Sequence, residues 1–276
     1  MISKNFIFIK PESLKEAWEL YKNYIEQGRN VYYYSGGTEI VTFSRKGILN
    51  PDVLIDLKCI KECKEFNFNE DLLITGSCVT LNEIIESQIS KILSISLKGI
   101  ADHTVRNRIT IGGNIVGQLP FREAVLPLLV LDSIIKIYGK EGVKEYKINE
   151  IFDKNLKINK GDLLFQIMIP KNLLNLDFYY QRRVFFARVD YPIISTLFVK
   201  VENKIRMSLT GALNYPIRDY ETEKILNDES LEKKEKIEKI VEKFKPEFKT
   251  DFRASKEYRL ELFKNILNDA IYYFGG

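Results

Sequence analysis

Apolar residues recur along this chain in short runs of period two and in longer stretches spaced three or four apart. Phe6-Ile7-Phe8-Ile9 predicts a short strand. Pro11-Glu12-Ser13-Leu14 then opens an amphipathic helix to about Gln27, with Leu14, Trp18, Tyr21 and Ile25 on one face. Gly28 stops it, as a residue that takes positive φ freely should. Val31–Tyr34 is the next strand and Pro51–Leu57 a further one, so the start reads β-α-β. Phe66–Ile74 reads as a hairpin turning at Asn69–Asp71. Thr80 and Glu83 have the spacing of a capping box ahead of Ile84 and Ile85. A helix is predicted from about Ile92 to His103, an apolar stretch follows at Ala124–Leu131, and strands follow at Ile134–Tyr138 and Leu163–Ile169, with Pro170 closing the unit. From Asp177 the pattern favours an antiparallel sheet: Phe178–Tyr180, Ile193–Val201 and Ile205–Thr210, turning at Glu202-Asn203-Lys204. Two helices, at about 220–243 and 255–273, complete the pattern.

Composition narrows the class. The chain has 276 residues, 45% hydrophobic and 29% charged, which suits a soluble globular protein of one large domain or two to three smaller ones. Its 42 basic and 38 acidic residues are interspersed, and the net charge of +4 forms no basic stripe, so nucleic acid is not an expected partner. The Lys- and Glu-dense span Leu231–Lys245 reads as a solvated helix face or a partner surface. No apolar run approaches the roughly 18–20 residues a membrane span needs. Met1–Phe6 lacks a signal-peptide pattern, so a cytoplasmic location is expected. Cys59, Cys63 and Cys78 are too few, and odd in number, for a disulfide framework. With His103 as the single histidine, they cannot build a four-thiolate or multi-histidine metal site, and a hydrolytic triad is disfavoured. No metal is expected.

Two glycine pairs carry the candidate chemistry. Ser35-Gly36-Gly37-Thr38-Glu39 follows the strand Val31–Tyr34, and Thr110-Ile111-Gly112-Gly113-Asn114 runs into Ile115-Val116. Glycine pairs permit positive φ and let backbone N–H groups approach a ligand closely. Successive N–H groups in such turns form an anion-binding concavity. Two of them suggest one ligand with two phosphates held from both sides, although neither has the usual dinucleotide sequence. The alternative is a pair of ordinary hairpin turns.

Further motifs accompany these loops in order. They are Ile40 after the first loop; Pro51 with Leu54-Ile55-Asp56; Ala101 and Val105-Arg106-Asn107 before the second loop; and Leu128-Leu129-Val130-Leu131-Asp132. Gly211-Ala212, Pro216, Arg218, Glu223, Leu226, Ser255, Tyr258-Arg259 and Leu267 continue the series. Together they resemble the FAD-binding subunit of the molybdenum hydroxylases, the xanthine dehydrogenase and carbon monoxide dehydrogenase family. The resemblance implies an α+β fold: a two-subdomain FAD-binding domain of the vanillyl-alcohol-oxidase (PCMH) type over 1–172, with subdomains of about 1–57 and 58–172. A small α+β C-terminal domain follows over 173–276. It also implies an oxidoreductase subunit of a hetero-oligomer. FAD on this chain passes electrons between two [2Fe–2S] clusters of an iron–sulfur subunit and NAD or another acceptor, while a molybdopterin subunit handles the substrate. The four-cysteine insert of the hydroxybenzoyl-CoA reductase branch is missing, which argues against that branch.

The same resemblance suggests site residues. Backbone N–H groups around Ser35–Thr38 and Gly112–Asn114 would hold the diphosphate, with the Thr38 and Thr110 hydroxyls and the Asn114 amide as further donors. Tyr34 and Ile40 flank the first loop, and Asn107 and Ile111 the second; Tyr33 and Tyr34 are bulkier than the usual residues there. Glu39 is either a contact near the flavin or a solvent-exposed turn carboxylate. Glu123 stands where relatives carry an Asp on the cofactor's sugar or adenine side. Arg182 would place a cation beside the ring's N1–C2 region, or else form a surface salt bridge. Leu164 or Phe165 matches an apolar flavin contact, and Ile100 matches a residue against the ring. Asp190 and Tyr191 fall where the family covers the acceptor face, so Tyr191 either gates NAD or packs as a core aromatic. His103, taken as one turn from Ile100 on the same helix, is a structural histidine or a flavin-proximal proton donor. No catalytic acid or base is assigned. The alternatives are a flavin-free structural paralogue and a self-sufficient flavin oxidoreductase of the same fold.

Overall fold

A computed structural model describes residues 5–187 and 189–275. The first unit is β1 Ile7–Ile9, α1 Leu14–Glu26, β2 Val31–Tyr34, α2 Thr38–Arg45 and β3 Val53–Asp56, with the three strands parallel in the order β1-β3-β2. Helix α1 starts where the Ser13 hydroxyl accepts the Glu16 N–H, and it buries Leu14 and Ala17. Those residues join Val31, Val53 and Ile55 in one core cluster that also takes in Leu163 and Phe165 of the next unit.

The second unit contains β4 Phe66–Asn69, β5 Leu72–Gly76, α3 Leu81–Glu86, α4 Lys91–Lys98, α5 His103–Arg106, α6 Ile111–Val116 and α7 Val125–Val130. It continues through β6 Ile134–Gly139, β7 Gly142–Lys147, α8 Ile148–Ile151, the two-residue pair β8 Phe152–Asp153 and β9 Asn155–Leu156, and β10 Leu163–Pro170. Its sheet is antiparallel in the order β4-β5-β10-β6-β7. The capping box at Thr80 and Glu83 forms as expected. Helix α7 is apolar all round and every residue in it is buried, as a helix enclosed on all sides must be.

The third unit is a four-stranded antiparallel sheet, β11 Phe178–Val184, β12 Pro192–Val201, β13 Lys204–Thr210 and β14 Ile217–Arg218, followed by α9 Tyr220–Leu226, α10 Lys233–Phe244 and α11 Lys256–Tyr273. One face of this sheet packs on the three helices through Ile194, Phe198, Met207 and Leu209. Alternate residues of β12, namely Leu197, Val199 and Val201, join the core of the second unit instead. The period of two along β12 therefore stitches the C-terminal sheet onto α7 and its neighbours.

Two expected helices are corrected. The helix expected over Ile92–His103 ends at Lys98. The guanidinium of Arg106 gathers the carbonyls of Lys98, Ile100 and Ala101, and Asp102 caps the separate α5. His103 and Ile100 therefore do not share a helix. The helix expected at about 220–243 is two, because Asn227 ends α9 and turns its side chain to both backbone groups of Ile205. The glycine pairs are not hairpin turns: Gly37 caps α2 and Gly112-Gly113 lie inside α6. Strand β7, unpredicted, pairs along the whole of β6.

Candidate functional site

Both glycine segments meet at one point. Gly36 lies so close to the second segment that a Cβ would sit 1.7 Å from the Arg108 carbonyl oxygen. The Ser35 and Thr110 hydroxyls are 2.6 Å apart. Lys58 donates to the Ser35 carbonyl at 2.9 Å and to Asp56 at 2.6 Å, which fixes the loop to the end of β3. Gly37, at φ +73°, lies under the Tyr34 ring, where a Cβ would come within 2.3 Å of its hydroxyl. Behind the loop, Cys63 and Cys78 are buried together, and the Cys78 N–H donates to the Cys63 carbonyl at 2.7 Å. Their mutual hydrogen bond holds the Cys63 thiol up and the Cys78 thiol down.

The two segments differ in what they offer a ligand. In the first, the N–H groups of Gly37, Thr38, Glu39 and Ile40 have no acceptor among the described residues. They stand at the start of α2, where the helix dipole favours negative charge. In the second, Ile111 donates to Val79, Gly112 to Ser77, Gly113 to the Thr110 hydroxyl and Asn114 to the Thr110 carbonyl. The Asn114 side chain accepts the Ala124 N–H. Thus the expected set of free N–H donors at Gly112–Asn114 is corrected: they hold the protein together. Gly112 is required because a Cβ would lie 2.5 Å from that of Ser77.

Glu39 reaches across from α2 to the chain after α6, accepting from the N–H groups of Gln118 at 2.7 Å and Leu119 at 3.4 Å. Just beyond, Phe121 stacks on Tyr191 with ring centroids 4.4 Å apart. The Arg253 guanidinium lies over both rings, at 5.6 and 5.4 Å, and Lys249 over Phe121 at 4.9 Å. Burial pushes the Tyr191 hydroxyl up and the Lys249 ammonium down to about 8. Arg253 also pairs with Asp190 at 3.5 Å. Tyr191 is thus stacked at the surface, 43% exposed, rather than in the core.

Glu123 and Arg182 meet each other, as Nε–Oε1 and Nη2–Oε2 contacts of 2.8 and 3.2 Å, with side chains 4% and 10% exposed. Burial pushes the Glu123 carboxyl up, against the pull of Arg182. The alternative of a surface salt bridge for Arg182 is therefore replaced by a buried one.

Ile100 and Leu164 are buried in the main core cluster and Phe165 in the first one. Asn107 is exposed, its side-chain oxygen accepting from Asn82. His103 is exposed and 3.0 Å from Glu86, which favours the structural reading. Sequence reasoning missed Phe121, Lys249 and Arg253, whose only signal was proximity to motif residues. Among the described residues, no group of three or more His, Cys, Asp and Glu is placed to hold a metal ion, and no helix is long and apolar enough to cross a membrane.

A family profile described as "FAD binding domain in molybdopterin dehydrogenase" matches residues 4–172, and one described as "CO dehydrogenase flavoprotein C-terminal domain" matches 195–273. The nicotinate dehydrogenase FAD-subunit of Eubacterium barkeri is 26% identical over 155 residues, 54% of this chain and 51% of that one. The carbon monoxide dehydrogenase medium chain of Hydrogenophaga pseudoflava is 24% identical over 176 residues, 62% and 60% of the two chains. The chain thus spans about half to three fifths of these relatives in the matched regions. A solved carbon monoxide dehydrogenase from Hydrogenophaga pseudoflava, lacking the Mo-pyranopterin moiety of its cofactor, superimposes with a TM-score of 0.87 at 21% identity, covering 99% of this chain and 98% of that one. Quinoline 2-oxidoreductase from Pseudomonas putida 86 does so with a TM-score of 0.84 at 19% identity, covering 99% and 97%. These likenesses carry the fold, while the first profile spans more than half of the sequence: the chain belongs to the FAD-binding family of the molybdopterin dehydrogenases.

Proposed function

We propose that this chain is the FAD-binding, electron-transferring subunit of a molybdenum hydroxylase, working between an iron–sulfur partner and NAD or another acceptor. The observation that carries the reading is the set of open N–H groups at Gly37–Ile40, on the helix whose Glu39 reaches the segment leading to the stacked Phe121 and Tyr191. That donor set suits an anionic ligand. When bound, FAD supplies the redox chemistry, taking up and releasing electrons.

The residues of this chain would supply the rest. The amides at the start of α2 would bind the diphosphate without a competing cation. Lys58, anchored on Asp56 and the Ser35 carbonyl, keeps that loop in place. Arg182 would hold positive charge at the ring and favour its anionic reduced form. The stacked Phe121 and Tyr191 would limit access of water and acceptor to one face. Ser35, Thr110 and Glu39 act by positioning, since each is bonded to the facing segment. Metal chemistry would reside on partner chains.

The experiment is purification of the chain with and without coexpressed neighbouring gene products. Absorbance near 450 nm with about one flavin per chain, and co-purification with iron–sulfur and molybdopterin subunits, is expected. A colourless protein would favour the flavin-free paralogue. A yellow protein that turns over a substrate without partners would favour the self-sufficient oxidoreductase.

A further inference from the structure

We infer that Glu123 is a positioning residue for Arg182, turned away from the cofactor, and that the pair also anchors the chain at Asp190. This rests on the reading that the chain binds FAD with its ring near Arg182.

Geometry separates the two roles open to Glu123. Both of its carboxylate oxygens face the guanidinium of Arg182, at 2.8 and 3.2 Å. The Ser195 hydroxyl also helps to lower the pKa of this carboxyl, and itself donates to the Tyr180 hydroxyl at 3.2 Å. With 4% of its side chain exposed, this carboxylate has no surface left for a sugar hydroxyl. A glutamate is one methylene longer than an aspartate, and here that length is spent on reaching strand β11.

Arg182 is correspondingly constrained. Its Nε and Nη2 serve Glu123, and Nη2 also donates to the Asp190 carbonyl at 2.5 Å. Its stem runs under Gly99 at the end of α4, where a Cβ would lie 2.6 Å from Cδ and 2.9 Å from Nε. Nη1 alone has no protein acceptor among the described residues, and it is not among the buried unpaired atoms. A planar fork clamped along one edge projects its remaining nitrogen in a fixed direction. Glu123 thereby turns a flexible cation into a pre-oriented one. The same fork holds the loop that carries Phe185, Phe186 and Tyr191, which are 55%, 88% and 43% exposed. Loss of Glu123 would release both the fork and the loop.

The test uses the purified full chain and the substitutions Glu123→Gln, Arg182→Gln, their double variant, and Glu123→Asp. Two readouts are followed: the flavin midpoint potential and the rate of chymotryptic cleavage at 185–191. The two Gln variants are expected to keep flavin, to shift the potential to lower values, and to speed loop cleavage about tenfold or more, as loss of a charge-assisted hydrogen bond implies. The double variant should be no worse than the more severe single one, because one clamp is being removed twice. Glu123→Asp keeps the charge and should fall between wild type and Glu123→Gln. Should a Gln variant fail to fold, Gly99→Ala displaces the Arg182 stem without removing a charge and should move the same two readouts. Flavin lost in Glu123→Gln but kept in Arg182→Gln would make Glu123 a direct cofactor contact and overturn the inference. Additive single effects would overturn it as well. A wild-type chain without flavin would defeat the functional reading, while loop cleavage would still test the clamp.

Discussion

At Lys249, a single ammonium group sets a pH dependence. It lies beside Asp251, Arg253 and Arg259 and 4.9 Å from the Phe121 ring, and burial lowers its pKa to about 8. An unfolded lysine titrates near ~10.4. Between pH 8 and that value the unfolded chain binds the extra proton, so stability rises with pH and then levels off. Tyr33 and Tyr180, raised by burial, add an opposing slope only above about pH 10, because the unfolded chain then loses their protons first. The unfolding free energy from urea titrations is therefore expected to increase from pH 8 to 9.5 by about 1 kcal/mol, discounted for partial hydration. Lys249→Met should flatten that rise, and an unchanged slope would reject the assignment. Residue identity was otherwise the most legible layer of the site. Gly36, Gly37, Gly112 and Glu123 all stand out in the sequence, but their partners do not. Nothing in the spacing of Glu123 and Arg182 announces that they meet, because the contact depends on where β11 crosses the end of α4.

Among elements, α6 is the instructive case. Ile-Gly-Gly-Asn-Ile-Val is a poor helix on propensity, with two glycines and three β-branched residues. It forms because Thr110 caps it, Ser35 braces that hydroxyl, and Gly112 fits against Ser77. Tertiary contact overrides propensity there, which is why sequence alone reads a loop. The same reasoning explains α2, whose β-branched and aromatic residues hide a helix begun by Gly37, and the break after α4, which Arg106 makes possible by collecting three carbonyls. Helix α1 was readable because its apolar face follows a single period, and β12 because it is a long run of apolar and β-branched residues. Thr110→Val keeps the shape of the cap and removes both of its hydrogen bonds. It is expected to cost about 1–2 kcal/mol, read as a lowered urea midpoint. A stability equal to wild type would mean that Ser35 and Gly113 find substitute partners.

For the whole molecule, the boundary near residue 172 divides sequence more than structure. Leu197, Val199 and Val201 complete the core of the preceding unit. Ser208 donates to the Leu126 carbonyl, Arg206 to that of Val130, and Arg218 to that of Leu129. With so much shared apolar and polar contact, the chain should unfold in one cooperative transition. Differential scanning calorimetry is expected to give a single peak with matching calorimetric and van't Hoff enthalpies. Two resolved peaks would show independent domains. The strand and loop that bridge the halves have a further consequence. Residues 173–194 fall between the two family profiles, and this interval holds Arg182, Asp190 and Tyr191. Its Phe178 and Tyr180 pack against the main core, whereas Phe185, Phe186 and Val189 are exposed. A chimera that exchanges 185–191 alone with a relative should therefore transplant this exposed aromatic segment as a cassette, leaving the amides at Gly37 and the shared core in their original register.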